Sequence, residues 1–168
     1  SYVGETFYFS KPKILEFLFS YRKGWLLYSP IFILSFLGLF NMYKTKNPWL
    51  FSTVIIFPIT IYLFASWWCW WFGGGFGMRS MIDYYPLLII PVGHILSLNF
   101  PYKKTILTAV LLSFTSLNLF QTLQKRKGVI HWDSMTKEAY WEFFFTPKMN
   151  TSSDWDKQKN ILKMVMVL

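Results

Sequence analysis

WLFSTVIIFPITIYLFASW, residues 49–67, lies inside a stretch that carries no charge from Lys46 to Arg79. As a helix it would rise about 28 Å, close to the roughly 30 Å of hydrocarbon in a bilayer. Working outward, the pattern repeats. Nothing is charged between Lys23 and Lys44, where residues 25–43 read WLLYSPIFILSFLGLFNMY. After Asp83 the next charge is Lys103, which leaves an apolar run over residues 81–98. Lys104 and Lys125 enclose a fourth run, residues 105–123. Four such runs in succession, edged by Lys or Trp and joined by short loops, read as membrane spans. A buried helix of a soluble protein accounts for one run but not for four. No strict alternation supports a barrel, so the spans are read as helices.

Composition agrees. Of 168 residues, 54% are hydrophobic and 22% aromatic, and only 15% are charged, where a soluble domain carries about a quarter. Lys and Arg number 17 against 8 acids, a net charge of +9. These cations sit at the ends of the apolar runs rather than along one face, which is the membrane pattern and argues against nucleic acid. The single cysteine, Cys69, excludes an internal disulfide and a structural zinc cluster. The chain opens at Ser1 with no basic-then-apolar leader, which reads as a piece cut from a longer chain. The rest of that parent chain and the lipid bilayer are therefore its expected partners.

Around the spans, residues 13–21 (KILEFLFSY) are amphipathic and read as a helix lying in the interface. After Leu123 the chain turns mixed and polar, with GVIHWDSMTKEAYWEFFFTP at its centre, and ends on the apolar ILKMVMVL. The expected fold class is all-α: a polytopic membrane helix bundle of about four transmembrane helices, an interfacial helix and a short extramembrane tail. It divides into a flank (1–24), a transmembrane region (25–123) and a tail (124–168). Pro30, Pro58, Pro86 and Pro91 fall inside the runs. Pro86 and Pro91 are expected to free the carbonyls of Ile82 and Leu87 and to kink the third span. Four spans put the flank, the loop after Trp67 and the tail on one side. Counting Lys and Arg puts that side in the cytoplasm, whereas the opposite loops are purely basic, so charge alone leaves orientation open.

The most unusual segment is residues 66–86, SWWCWWFGGGFGMRSMIDYYP. Trp67, Trp68, Trp70 and Trp71 suit an interfacial belt, or an aromatic wall against a sugar or lipid headgroup. Gly73, Gly74, Gly75 and Gly77 allow either a tight turn or close approach of backbone N–H groups to an anion. A third helix starting near Met78 would put Arg79 and Asp83 on one face, continued by Ile90 and His94. Charges at membrane depth face a protein interior or a water-filled cavity. Arg79 then reads as a phosphate ligand, with Asp83 orienting it or meeting a sugar hydroxyl. A plain Arg79–Asp83 pair at the membrane edge is the alternative. Trp70, Trp71, Gly74, Gly75 and Tyr84 complete this candidate headgroup site. His94 reads as a packed or interfacial histidine, while His131 and Asp133 in the tail could join a site. No metal-ligand cluster, nucleophile triad or close carboxylate pair stands out, and no cofactor is implied.

Residues 72–91, FGGGFGMRSMIDYYPLLIIP, resemble the W-x-G-G-x-F-G-x-R-x-x-[IL]-[DE]-x-x-P pattern found late in bacterial multi-span glycosyltransferases of the GT-C type. The nearest likeness is to the dolichyl-phosphate-mannose-protein mannosyltransferase-like set of Bacteroidetes. RKGWLLYSPIF (22–32) resembles the start of a span in that family, and GVIHWDSMTKEAYW (128–141) its tail. The resemblance implies transfer of a sugar from a polyprenyl-phosphate donor at the outer face of the bacterial inner membrane, by a multi-pass protein. It implies that the Trp/Gly loop and tail are periplasmic and that Arg79 lies near the donor phosphate. The family's catalytic acid belongs to an earlier external loop, so no catalytic residue is assigned here. A non-catalytic membrane assembly subunit and a transporter or flippase of lipid-linked sugars are the competing expectations.

Overall fold

The computed structural model describes residues 4–95, 98, 101–149 and 152–166. The helices, in chain order, are α1 (Ile14–Phe19), α2 (Trp25–Tyr28), α3 (Ile33–Lys44), α4 (Trp49–Ser66), α5 (Tyr85–Ile95), α6 (Lys103–Arg126), α7 (Lys137–Glu142) and α8 (Ser152–Met166). Two 3-10 segments, Pro30–Phe32 and Arg79–Tyr84, lead into α3 and α5. The fold is all-helical among the described residues. Two helices, α4 and α6, are long and apolar enough to cross a membrane.

The run over residues 25–43 is not one helix. Pro30 lacks an N–H and disfavours helical geometry in the residue before it, and Ser29 is non-helical (φ −138°, ψ 59°). The carbonyl of Tyr28, left without a helical partner, accepts a bond of 2.7 Å from Asn118 Nδ2 of α6. The third run also starts differently from expectation. Because residues 79–84 are 3-10, Pro86 falls in the first turn of α5, where no N–H is required. Only Pro91 lies deep enough to free a carbonyl inside α5.

Short α3 and α5 make one unit, and their contacts fix its direction. Ser35 Oγ donates to the Leu88 carbonyl (3.2 Å), and Asn41 Nδ2 to that of His94 (2.8 Å). Between these two bonds, Gly38 lies directly against the backbone of Pro91. Contacts advance together along both helices, so α3 and α5 run parallel. A Cβ on Gly38 would come within 1.7 Å of the Pro91 carbonyl oxygen, so only glycine permits this approach. At the far end His94 Nε2 lies 2.9 Å from Asn47 Nδ2, tying the loop between α3 and α4 to the last turn of α5.

On α4 Thr53, Phe57, Thr60, Ile61 and Ala65 are buried in a single stripe at helical spacing, with Ser66 buried at its end. Phe51, Val54, Ile55, Ile56, Ile59 and Leu63 face outward. Helix α6 reverses the usual order of a soluble helix. Its buried residues are Gln121 and Gln124, while Ile106, Leu112, Leu119 and Leu123 are exposed. The core joins both ends of the chain's first half: Phe17 of α1, Trp25 and Leu26 of α2, Phe57 and Ile61 of α4, Trp70, Met78 and Met81, and Leu88 of α5.

Three segments cap one end of this bundle. The flank clamps the end of α4, with Tyr8 N donating to Ser66 O (2.6 Å), Lys13 N to Ala65 O (2.8 Å) and Trp68 N to Thr6 O (3.0 Å). Helix α1 buries Phe17 and leaves Leu15 and Phe19 exposed. The tail is hooked on by the two buried glutamines of α6. Gln121 Nε2 donates to Tyr140 Oη (2.7 Å), and Gln124 Nε2 faces the carbonyls of Phe143, Phe144 and Thr146 (2.8–3.1 Å). Leu162 of α8 is buried against Tyr28, Ile130 and Tyr140, so the start of the apolar ILKMVMVL stretch docks on the cap. The side chains beyond Leu162 lie outside the described residues.

Candidate anion-binding site at the capped end

The start of α2, the end of α4, the Arg79–Tyr84 segment and the end of α6 all meet the cap, and so do their cations. Arg22 and Lys23 stand immediately before α2. Arg22 Nη2 reaches Asp133 Oδ2 at 2.9 Å, and its Nε donates to the Asp133 carbonyl at 2.7 Å. The same guanidinium lies 3.5 Å from the centroid of the Trp71 ring. Lys23, only 2% exposed, donates from Nζ to the carbonyls of Gly75 and, at 2.7 Å, Trp132. One lysine therefore bolts the glycine loop to the tail.

Burial disfavours charge on Lys23 and, with Lys125 and Arg22 nearby, brings its pKa down to about 8 against the opposing pull of Asp133. Burial and then Lys125 also hold His131 below the ordinary imidazole value. His131 Nδ1 accepts the backbone N–H groups of Asp133 (3.3 Å) and Ser134 (2.9 Å). A nitrogen that accepts cannot carry the proton, so the neutral ring is the Nε2–H tautomer.

Arg79 opens the 3-10 segment, exposed, with its Cβ and Cδ each 3.6 Å from where a Cβ on Gly75 would stand. Asp83 is exposed too, but the two do not pair. The stripe expected to join Arg79, Asp83, Ile90 and His94 depended on an α-helix from Met78. In a 3-10 helix each residue turns by about 120°, which swings Asp83 off the face of Arg79. His94 belongs to the opposite end, bonded to Asn47.

The remaining candidates divide. Gly75 supplies its carbonyl to Lys23, and Gly74 lies against Trp132, whose Cε3 would be 3.1 Å from a Cβ there. Trp71 stacks under Arg22. Trp70 is buried in the core, and Tyr84 packs edge-on to Phe64 at 5.8 Å. All four tryptophans, with Tyr8, Lys11 and Lys13, also border a hollow of about 340 Å³ on the flank side. Arg22, Lys23, Trp132 and Lys125 were not singled out from sequence. The Arg-Lys pair before Trp25 reads as a span flank, and nothing local announces that residue 23 meets residues 75 and 132.

The capped end thus brings Lys23, Lys125 and neutral His131 near one another, with Arg22 engaged by Asp133, Lys23 by two carbonyls, and Arg79 beside Gly75. Among the described residues no group of three His, Cys, Asp or Glu could hold a metal ion. Comparisons of the chain with family models, curated proteins and solved structures found no match.

Proposed function

We propose that the chain is part of a polytopic membrane glycosyltransferase, and that its capped end receives the phosphate of a polyprenyl-phosphate sugar donor. The supporting observation is the state of Arg79. It is exposed, lies beside Gly75, and has no acidic partner among the described residues. The neighbouring cations are already engaged, Arg22 by Asp133 and Lys23 by two carbonyls. A lipid phosphate leaving group gains negative charge as the glycosidic bond breaks, and a fixed guanidinium favours that state over the ground state. The outward apolar faces of α3, α4 and α6 suit lipid, with residues 25–43, 49–67, 81–98 and 105–123 each contributing a crossing of the bacterial inner membrane. The cap is then periplasmic, and Lys44, Lys46, Lys103 and Lys104 are cytoplasmic. No general base is assigned to this chain.

Native mass spectrometry in nanodiscs containing polyprenyl phosphate tests the headgroup site. Arg79→Ala is expected to weaken retention of polyprenyl phosphate about tenfold, roughly 1.4 kcal/mol, with Arg79→Lys intermediate. Equal retention by all three proteins rejects the phosphate role. A non-catalytic assembly subunit is the second reading, favoured by the packing duties of Gly38, Gly74 and Trp70. A parent protein that retains polyprenyl phosphate equally with and without Arg79 and transfers no sugar would select it.

A further inference from the structure

The end of α6, residues 128–132 and α8 line a half-open cavity of about 410 Å³ that includes Trp132, the residue against which Gly74 lies. This lies within the range of small-molecule sites, about 300–1,000 Å³. Its walls are indoles, Trp132 and Trp155, and its polar lining includes Lys125, Lys159, His131 and Gln158. No acidic side chain lines it. We propose that this cavity binds an anionic saccharide, a sugar ring bearing a carboxylate or a phosphate.

Each part of the lining has a reason to be there. Gly128 adopts φ +79°, and a Cβ on it would fall 2.3 Å from Trp155 Cη2. The backbone is therefore cut back to admit the Trp155 ring against the turn. An indole face offers the apolar C–H face of a sugar ring a flat surface, and its N–H a polar partner. Two ammonium groups supply the charge that a carboxylate or phosphate needs. His131 lines the cavity and, with Nδ1 occupied by backbone N–H groups, keeps an Nε2–H donor without adding charge. Gln158 spends Nε2 on the Val129 carbonyl (2.6 Å), which leaves Oε1 to accept from a sugar hydroxyl. Asp133, whose charge bears on this ring, is turned to Arg22. A neutral sugar would leave both ammonium groups unmatched, and a bare anion would not use the indoles.

The cavity shares Lys125, His131 and Trp132 with the capped end but not Arg79, the residue on which the lipid-phosphate reading rests, so the two fail separately. Isothermal titration of the full chain in nanodiscs would use trigalacturonate and glucose 6-phosphate as anionic probes. Maltotriose serves as the neutral control, and hexa-aspartate as a charge-only control. Saturable binding of at least one anionic sugar, ten-fold or more tighter than maltotriose and hexa-aspartate, is expected. Lys159→Ala, exposed on α8, combined with Lys125→Met should weaken it at least tenfold, and Trp155→Ala by a similar factor. Circular dichroism would confirm that each variant keeps its helices, and Arg79→Ala should leave the titration unchanged. No binding of either anionic sugar by the folded chain overturns the proposal. So does binding that ignores the Lys125/Lys159 pair, or hexa-aspartate binding as tight as that of the sugars.

Discussion

Lys23 shows what a single side chain contributes to the cap. Its amine serves the carbonyls of Gly75 and Trp132, two segments far apart in sequence. Lys23→Met would strand both oxygens, at a cost of about 1–3 kcal/mol for a buried acceptor left unpaired. The expected result is a lower midpoint of thermal unfolding in detergent, with loosened hydrogen exchange at residues 73–77. The pH dependence has a definite sign. With the folded pKa near 8 and the unfolded value at 10.5, the unfolded chain binds more protons between those limits. Stability of the native protein relative to Lys23→Met should therefore rise as pH climbs from about 8 to 10.5, since the neutral amine keeps two N–H donors for its two carbonyls. A flat difference across that window would contradict the burial of Lys23. Arg79 stands out in the sequence because a lone guanidinium follows a glycine run at a span's edge. Lys23 was not, because a lysine before a span has an ordinary explanation, and only the folded chain brings residues 75 and 132 to it.

At the scale of elements, two glycines separate packing from propensity. Gly38 of α3 abuts the Pro91 backbone, whereas a Cβ on Gly93 of α5 would meet nothing within 4 Å. Gly38→Ala must push α3 and α5 apart, and overpacking of this kind costs about 1–3 kcal/mol or more. Gly93→Ala should be neutral or stabilising by up to about 1 kcal/mol, since alanine is the better helix former. Thermal unfolding of the two variants in the same detergent checks the pair, and similar losses in both would undo the assigned contact. Uncharged length predicted where the helices lie, and α4 and α6 follow it closely. It did not predict the break at Ser29–Pro30 or the 3-10 start at Arg79. The proline signal was visible in both runs, but its consequence depends on whether the proline falls inside a helix, as Pro91 does, or in its first turn, as Pro86 does. That register is set by tertiary contacts such as Ser35 to Leu88 and Asn41 to His94.

The whole molecule has two unlike ends. One carries the flank, the Trp/Gly loop and the tail, locked together by Lys23, Arg22–Asp133 and Gln124. The other carries the short loop with Lys44 and Lys46, pinned through Asn47 to His94. Between them, α6 buries glutamines toward its capped end and turns leucines outward, an order that favours an apolar surrounding over water. Parallel α3 and α5, with α4 returning between them in the chain, is the arrangement that alternate crossings require. The most direct measurement is sidedness. In a Cys69→Ser background, single cysteines replace Lys11, Thr45 and Glu142, and intact proteoliposomes of one orientation are treated with an impermeant maleimide. Positions 11 and 142 should label from the same side and position 45 only from the other. Labelling of all three from one side would contradict a chain that spans the bilayer with its cap on a single face.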